Sequence, residues 1–131
     1  MDFAFEWFNP ILGNPVVTIA EYGLGFNKAA IEALGSPEKV RLGFDKKNKI
    51  IAVKASDAND SLALPFASKE RSGYVRISSK EFARFVQRNY AELKLEKSIR
   101  CFAWYDEKTE ALLVDLKEYM ESESELESEV E

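Results

Sequence analysis

Residues 69–100 concentrate the basic chemistry of this chain: Lys69, Arg71, Arg76, Lys80, Arg84, Arg88, Lys94, Lys97 and Arg100 stand against only Glu70, Glu81, Glu92 and Glu96. Lys80, Arg84 and Arg88 recur every fourth position. A helix through them carries three cations along one face at intervals of about 6 Å, a spacing that tracks a phosphate backbone. Arg76 lies on the segment just before that helix. Contacts of this kind fix a protein on a nucleic acid without reading its bases. The same spacing is also that of the solvated side of any amphipathic helix, so both readings stand at this point.

Other chemistries lack their parts. The chain has no histidine and a single cysteine, Cys101. Ser-His-Asp and Cys-His pairs cannot be assembled from it, nor can zinc sites built from those ligands. No catalytic residue, metal ligand or cofactor is therefore assigned, and the chain is expected not to be an enzyme. Cys101 is flanked by Arg100 and Phe102 in an apolar segment, which predicts a core or near-core thiol. Asp45 and Asp106 fall where the chain must turn, and Asp favours such turns by bonding nearby backbone. The stretch "GLGFNK" (23–28) lacks the third glycine of a dinucleotide-binding turn.

With 131 residues the chain has the size of one domain. Its formal net charge is −5, but residues 121–131, "ESESELESEVE", hold six acids and no base. Removing them leaves 18 bases against 17 acids, a net charge of +1 for residues 1–120. An acidic tail over 119–131 is expected to be disordered, because like charges with little to bury repel one another. One cysteine, no export signal and no apolar run near the ~18 residues of a membrane span lead to an expectation of a cytoplasmic protein with no membrane contact.

Stepwise patterning supplies the elements that would position the basic residues. Phe3, Phe5 and Trp7 alternate with Asp2, Ala4 and Glu6, which predicts an N-terminal strand with one buried face. Residues 16–26 predict one strand, bent near Gly23 and Gly25. A short helix follows, capped by Asn27 and stopped by Gly35, with Ile31 and Leu34 on its inner face. "KVRLGFD" and "IIAVKA" predict a hairpin turning over "KKNK". Residues 56–72 form the connection, where Leu62, Leu64 and Phe66 lie against the core and Pro65 bars a central strand. Residues 73–78 then predict a strand. Ser78-Ser79-Lys80-Glu81 fits a capping box, and a helix over about 79–91 buries Phe82, Phe85, Val86 and Tyr90. A second hairpin crosses "DEKT", bringing Phe102 and Trp104 onto one face with Leu112 and Val114 opposite them.

The two hairpins repeat. "FDKKNKIIAV" (44–53) and "YDEKTEALLV" (105–114) match class for class, 61 positions apart. The predicted fold is α+β: two β-α-β-β units, about 1–55 and 73–118, packed with a pseudo-twofold as one domain over 1–118, a small barrel or sheet pair with two helices. On this reading Ile31 and Leu34 correspond to Phe82 and Phe85. A lone hairpin is marginal in water, so each unit needs the other to cover its apolar face.

The run "GFNKAAIEALG", "KVRLGFD", "KIIAV" within residues 23–53 resembles the module of the AbrB/MraZ-like swapped-hairpin transcription regulators. That module runs strand, short helix ending in Leu-Gly, strand, turn, strand. The resemblance implies a dimer of such units or one chain containing two, and DNA contacts through basic residues. This chain has Phe26-Asn27 where members commonly carry Ile-Pro, and no Arg within residues 23–35. The functional expectation is weak, salt-sensitive nucleic-acid association through Arg76, Lys80, Arg84 and Arg88. The alternative is a protein-interaction module that uses the aromatic N-terminal segment or the acidic tail, as a monomer or homodimer.

Overall fold

The computed structural model describes residues 2–5, 7 and 13–120. Its elements are β1 (Val16–Ala20), β2 (Gly23–Phe26), α1 (Lys28–Leu34), β3 (Lys39–Asp45), β4 (Ile50–Ser56), β5 (Leu64–Pro65), a 3-10 turn (Ala67–Lys69), β6 (Glu70–Arg71), β7 (Tyr74–Ser78), α2 (Lys80–Arg88), β8 (Ile99–Asp106) and β9 (Ala111–Met120). The strands form one sheet in the order β5-β3-β4-β9-β8-β1-β2-β7-β6. Every pairing is antiparallel. The fold is α+β.

Covalent geometry forces this sheet to curl. Its end strands, β5 and β6, are separated in sequence only by residues 66–69. Laid flat, nine strands would hold their edges about 38 Å apart. The chain from Pro65 to Glu70 reaches no further than about 18 Å. The sheet therefore bends into a half-barrel whose two edges share one connector. Along the strands alternate residues face inward: Val17 and Ile19, Leu24 and Phe26, Ile51 and Val53, Val75 and Ile77, Ile99 and Cys101, Leu112 and Val114 are all buried. Ala30, Ile31 and Leu34 of α1 and Ala83 and Val86 of α2 join the same core.

The predicted connection over 56–72 is largely this connector. Pro65 sits in an edge strand, where its missing N–H costs no ladder bond. Phe66 is fully buried and meets Phe26 edge-to-face at 5.0 Å between ring centroids. Leu62, by contrast, is exposed.

The hairpins form over the turns anticipated for them, with equal registers. Leu42 to Asp45 pair with Val53 to Ile50, and Ala103 to Asp106 pair with Val114 to Ala111. Asp45 accepts from the Lys47 and Asn48 N–H groups at 3.0 and 3.1 Å. Asp106 accepts from the Thr109 N–H at 3.0 Å and from its hydroxyl. Lys49 and Glu110, each closing its turn, have positive φ of 60° and 56°. The strands β4 and β9 then join the hairpins, with Ala52 opposite Leu113.

Several expectations need correction. Residues 16–26 are two strands, because the chain reverses at Glu21-Tyr22. Gly23 makes the reversal possible with φ of 136°, and a Cβ there would run into the Ile77 carbonyl. The described part of the N-terminal segment is not a strand: residues 2–5 and 7 lie outside the sheet, and in solvent Phe3 stacks on Phe5, whose ring meets that of Trp7 at a tilt. Alternation shows which side is apolar, not that something covers it. Ser79, not Ser78, caps α2, accepting from the Phe82 N–H at 3.2 Å. In that helix Ala83 and Val86 are buried, Phe82 is half-buried and Phe85 is 40% exposed. The helix ends at Arg88. Past it, half-buried Tyr90 receives the Lys49 ammonium 5.1 Å from its ring centroid. Phe102 and Trp104 do share a face, but it is the outer one. At the other end β9 continues to Met120, so residues 119–120 belong to the sheet. Residues 121–131 lie outside the described residues.

Candidate anion-binding surface

The basic residues are brought together by the reversal between β1 and β2. There the Tyr22 carbonyl accepts the Ser79 N–H at 2.7 Å, fixing the start of α2 against the turn. Strand β7 lies beside β2, with Arg76 opposite Gly25. Because Gly25 has no side chain, the Tyr74 and Tyr22 hydroxyls close over it; a Cβ at that position would meet both. Burial, followed by a hydrogen bond with Tyr22, raises the Tyr74 pKa above its ordinary 10.0. Arg76 stacks on the Tyr22 ring, its guanidinium carbon 3.8 Å from the centroid. This cation–π contact orients the guanidinium while leaving it in solvent.

Lys80 and Arg84, on the first two turns of α2, line an open cleft of about 500 Å³ together with Glu21, Tyr22, Glu96 and Ser98. All four sequence-selected residues are exposed. The structure gathers Arg76, Lys80 and Arg84 around Tyr22. Arg88, one turn beyond Arg84 along α2, does not line the cleft. Sequence reasoning overlooked Tyr22, which orients Arg76, and gave no sign that Glu21 and Glu96 share the cleft. An aromatic residue just before a strand-starting glycine was the available signal for Tyr22. The two carboxylates moderate the positive field of the cleft.

Elsewhere the titratable groups have local explanations. Hydrogen bonds from the Asn48 backbone and side chain hold Asp45 below its ordinary 3.8. The Thr109 hydroxyl and N–H do the same for Asp106. These acids cannot meet, since the antiparallel β4–β9 pair puts their turns at opposite ends. Burial pushes the Cys101 thiol from an ordinary 9.0 up to about 12. Among the described residues, no group of three or more His, Cys, Asp or Glu is placed to hold a metal ion. No helix among the described residues is long and apolar enough to cross a membrane. Family models, curated proteins and solved structures alike give no match to this chain.

Proposed function

We propose that this chain is a non-enzymatic cytoplasmic domain that associates weakly with nucleic acid through Arg76, Lys80 and Arg84, with Arg88 extending the contact. The observation that carries this reading is that Lys80 and Arg84 line one open cleft with Tyr22, while Arg76, from a separate element, is held on the ring of that same tyrosine. The cations would take phosphates, and Glu21 and Glu96 in the same cleft keep the association weak and salt-sensitive. We further infer that the domain arose from two β-α-β-β units related to the AbrB/MraZ-like swapped-hairpin module.

Four observations support the duplication. Hairpin registers, turn acids and positive-φ closures recur 61 positions apart. Each helix is capped by a side chain bonding the N–H three residues on, Asn27 to Ala30 and Ser79 to Phe82. Aligned by these caps, buried Ile31 and Leu34 correspond to buried Ala83 and Val86, one position on from Phe82 and Phe85. The pairing is also exchanged. The second hairpin lies against β1 of the first half, and the first lies against β5, in the segment leading into the second half. Strand β1 bridges β8 and β2; its counterpart between β3 and β7 is the broken strand β5–β6.

Fluorescence anisotropy with labelled duplex and single-stranded oligonucleotides tests the binding. Three phosphate contacts to duplex DNA give a slope of log Kobs against log salt of about −3. Arg84→Ala makes that slope shallower by about 1, and ending the chain at Met120 tightens binding by removing six acids. Failure of the shortened chain to bind at low salt overturns the proposal.

A further inference from the structure

Two apolar surfaces of this chain face solvent, and their dimensions match. The first is the arm bearing Phe3, Phe5 and Trp7, which are 70%, 69% and 83% exposed. Its ring contacts, among the described residues, are to one another. The second is a shelf on the outer face of the sheet. The strand registers align Gly43, Ala52, Leu113 and Trp104 in one row across β3, β4, β9 and β8. Phe102, two residues before Trp104 on β8, adds a second ring on the same face, and both are nearly half exposed. Nothing lies within 4 Å of where a Gly43 Cβ would stand, so the shelf is low at one end and walled by aromatic rings at the other.

We propose that the shelf receives the aromatic arm of a second copy of this chain, by reciprocal exchange in a twofold dimer. The row from Gly43 to Trp104 spans three strand spacings, about 14 Å. Extended backbone from Phe3 to Trp7 covers about 13 Å and directs all three rings to one side. The root of the arm stands beside the shelf, since the Pro15 carbonyl accepts the Ala103 N–H at 3.0 Å. From Gly13, Trp7 lies within about 20 Å of chain, enough to cross to a neighbouring molecule. Large aromatic side chains bury about 150–250 Å² each. Scaled by the exposure of each ring, two exchanged arms and their shelves remove about 1,250 Å² from water, at the lower end of stable specific interfaces. A twofold arrangement uses both copies of each surface and closes the assembly. The shelf shares no residue with the Tyr22 cleft, so this contact is independent of nucleic-acid binding.

Sedimentation of the full chain tests the proposal. Wild type runs as a dimer of 14.9 kDa chains in the micromolar range. An arm variant, Phe5→Ser with Trp7→Ser, and a shelf variant, Ala52→Lys, each weaken dimerisation at least about 30-fold, the usual effect of losing interface anchors. Circular dichroism melting confirms that each remains folded; because Phe5 and Trp7 are mostly exposed, the arm variant melts within a few degrees of wild type. The decisive arm mixes the two variants, one carrying a fluorescent donor and the other an acceptor. The shelf variant still has an intact arm and the arm variant an intact shelf, so energy transfer appears in the mixture although neither variant self-associates. Wild type that stays monomeric at high concentration, an arm variant that remains dimeric, or a mixture without energy transfer overturns the proposal.

Discussion

Phe66→Ala tests whether the connector between β5 and β6 belongs to the core or merely passes over it. The Phe66 ring is 0% exposed and packs edge-to-face on Phe26. Its N–H donates to the Glu38 carbonyl at 2.8 Å, and that of Ala67 to the Pro37 carbonyl at 3.1 Å. The side chain is thus fixed from the ring inward and from the backbone outward, leaving the site little freedom to collapse. Removing a buried phenyl ring costs about 3–5 kcal/mol, a range that includes the cavity it leaves. Domains of this size are stable by only about 5–15 kcal/mol, so the variant loses a large fraction of its margin. At the melting point that corresponds to a fall of about 12–20 °C. Leu62→Ala, four residues earlier and 69% exposed, changes stability by no more than about 0.5 kcal/mol. Urea unfolding followed by far-ultraviolet circular dichroism measures both, with equal slopes indicating an unchanged transition. A loss below about 1.5 kcal/mol for Phe66→Ala, at unchanged slope, would mean that the ring contributes no more than a surface contact. Closure of the sheet by its connector would then be wrong.

Two further perturbations probe the backbone and the buried thiol. Gly23→Ala destabilises by about 2–4 kcal/mol, since position 23 has φ of 136° and a Cβ there collides with the Ile77 carbonyl. Gly43→Ala, over open space and without positive φ, stays within about 0.5 kcal/mol of wild type in the same unfolding assay. For Cys101, folded and unfolded chains are both protonated below an ordinary 9.0, so the thiol's contribution is fully present there; between 9.0 and about 12 only the unfolded chain loses the proton. Stability therefore falls as pH rises through that window, and the difference between wild type and Cys101→Ala shrinks by about 2 kcal/mol between about pH 8.5 and 10.5. A difference independent of pH would show that the thiol is not desolvated.

What could be read in the sequence was what local chemistry decides. The two hairpins were legible because Asp45 and Asp106 close their own turns. Helix α1 was legible because Asn27 and Gly35 act within a few residues of themselves. The reversal at Glu21-Tyr22 carries none of the usual hairpin dipeptides. It exists because β2 must pair with β7, which brings the Ile77 carbonyl against a position that tolerates no Cβ. In α2 the apolar residues alone set the predicted face, and the fold centres that face on Ala83 and Val86 instead, which leaves Phe82 half-buried and Phe85 exposed. The basic spacing of Lys80 and Arg84 is unaffected, because both residues stay on the exposed side.

Pairing between distant segments, β2 with β7, also accounts for what stayed hidden at the candidate site. Tyr22 and Arg76 are far apart in sequence yet in ring contact, and Glu96 reaches the same cleft from the segment between α2 and β8. That segment, residues 89–98, is where the second half departs most from the first. Together with a helix two residues longer and a β8 one residue longer than β3, it accounts for the change in offset from 52 positions at the caps to 61 at the hairpins. The extra residues place Leu93 and Leu95 in the core and carry Glu96 and Ser98 past Lys80 and Arg84. A duplicated unit that had kept its short connection would have no wall on that side of α2. On the proposed ancestry, the cleft is the consequence of the insertion, and the first half has no equivalent of it because Gly35 leads through only three residues into β3.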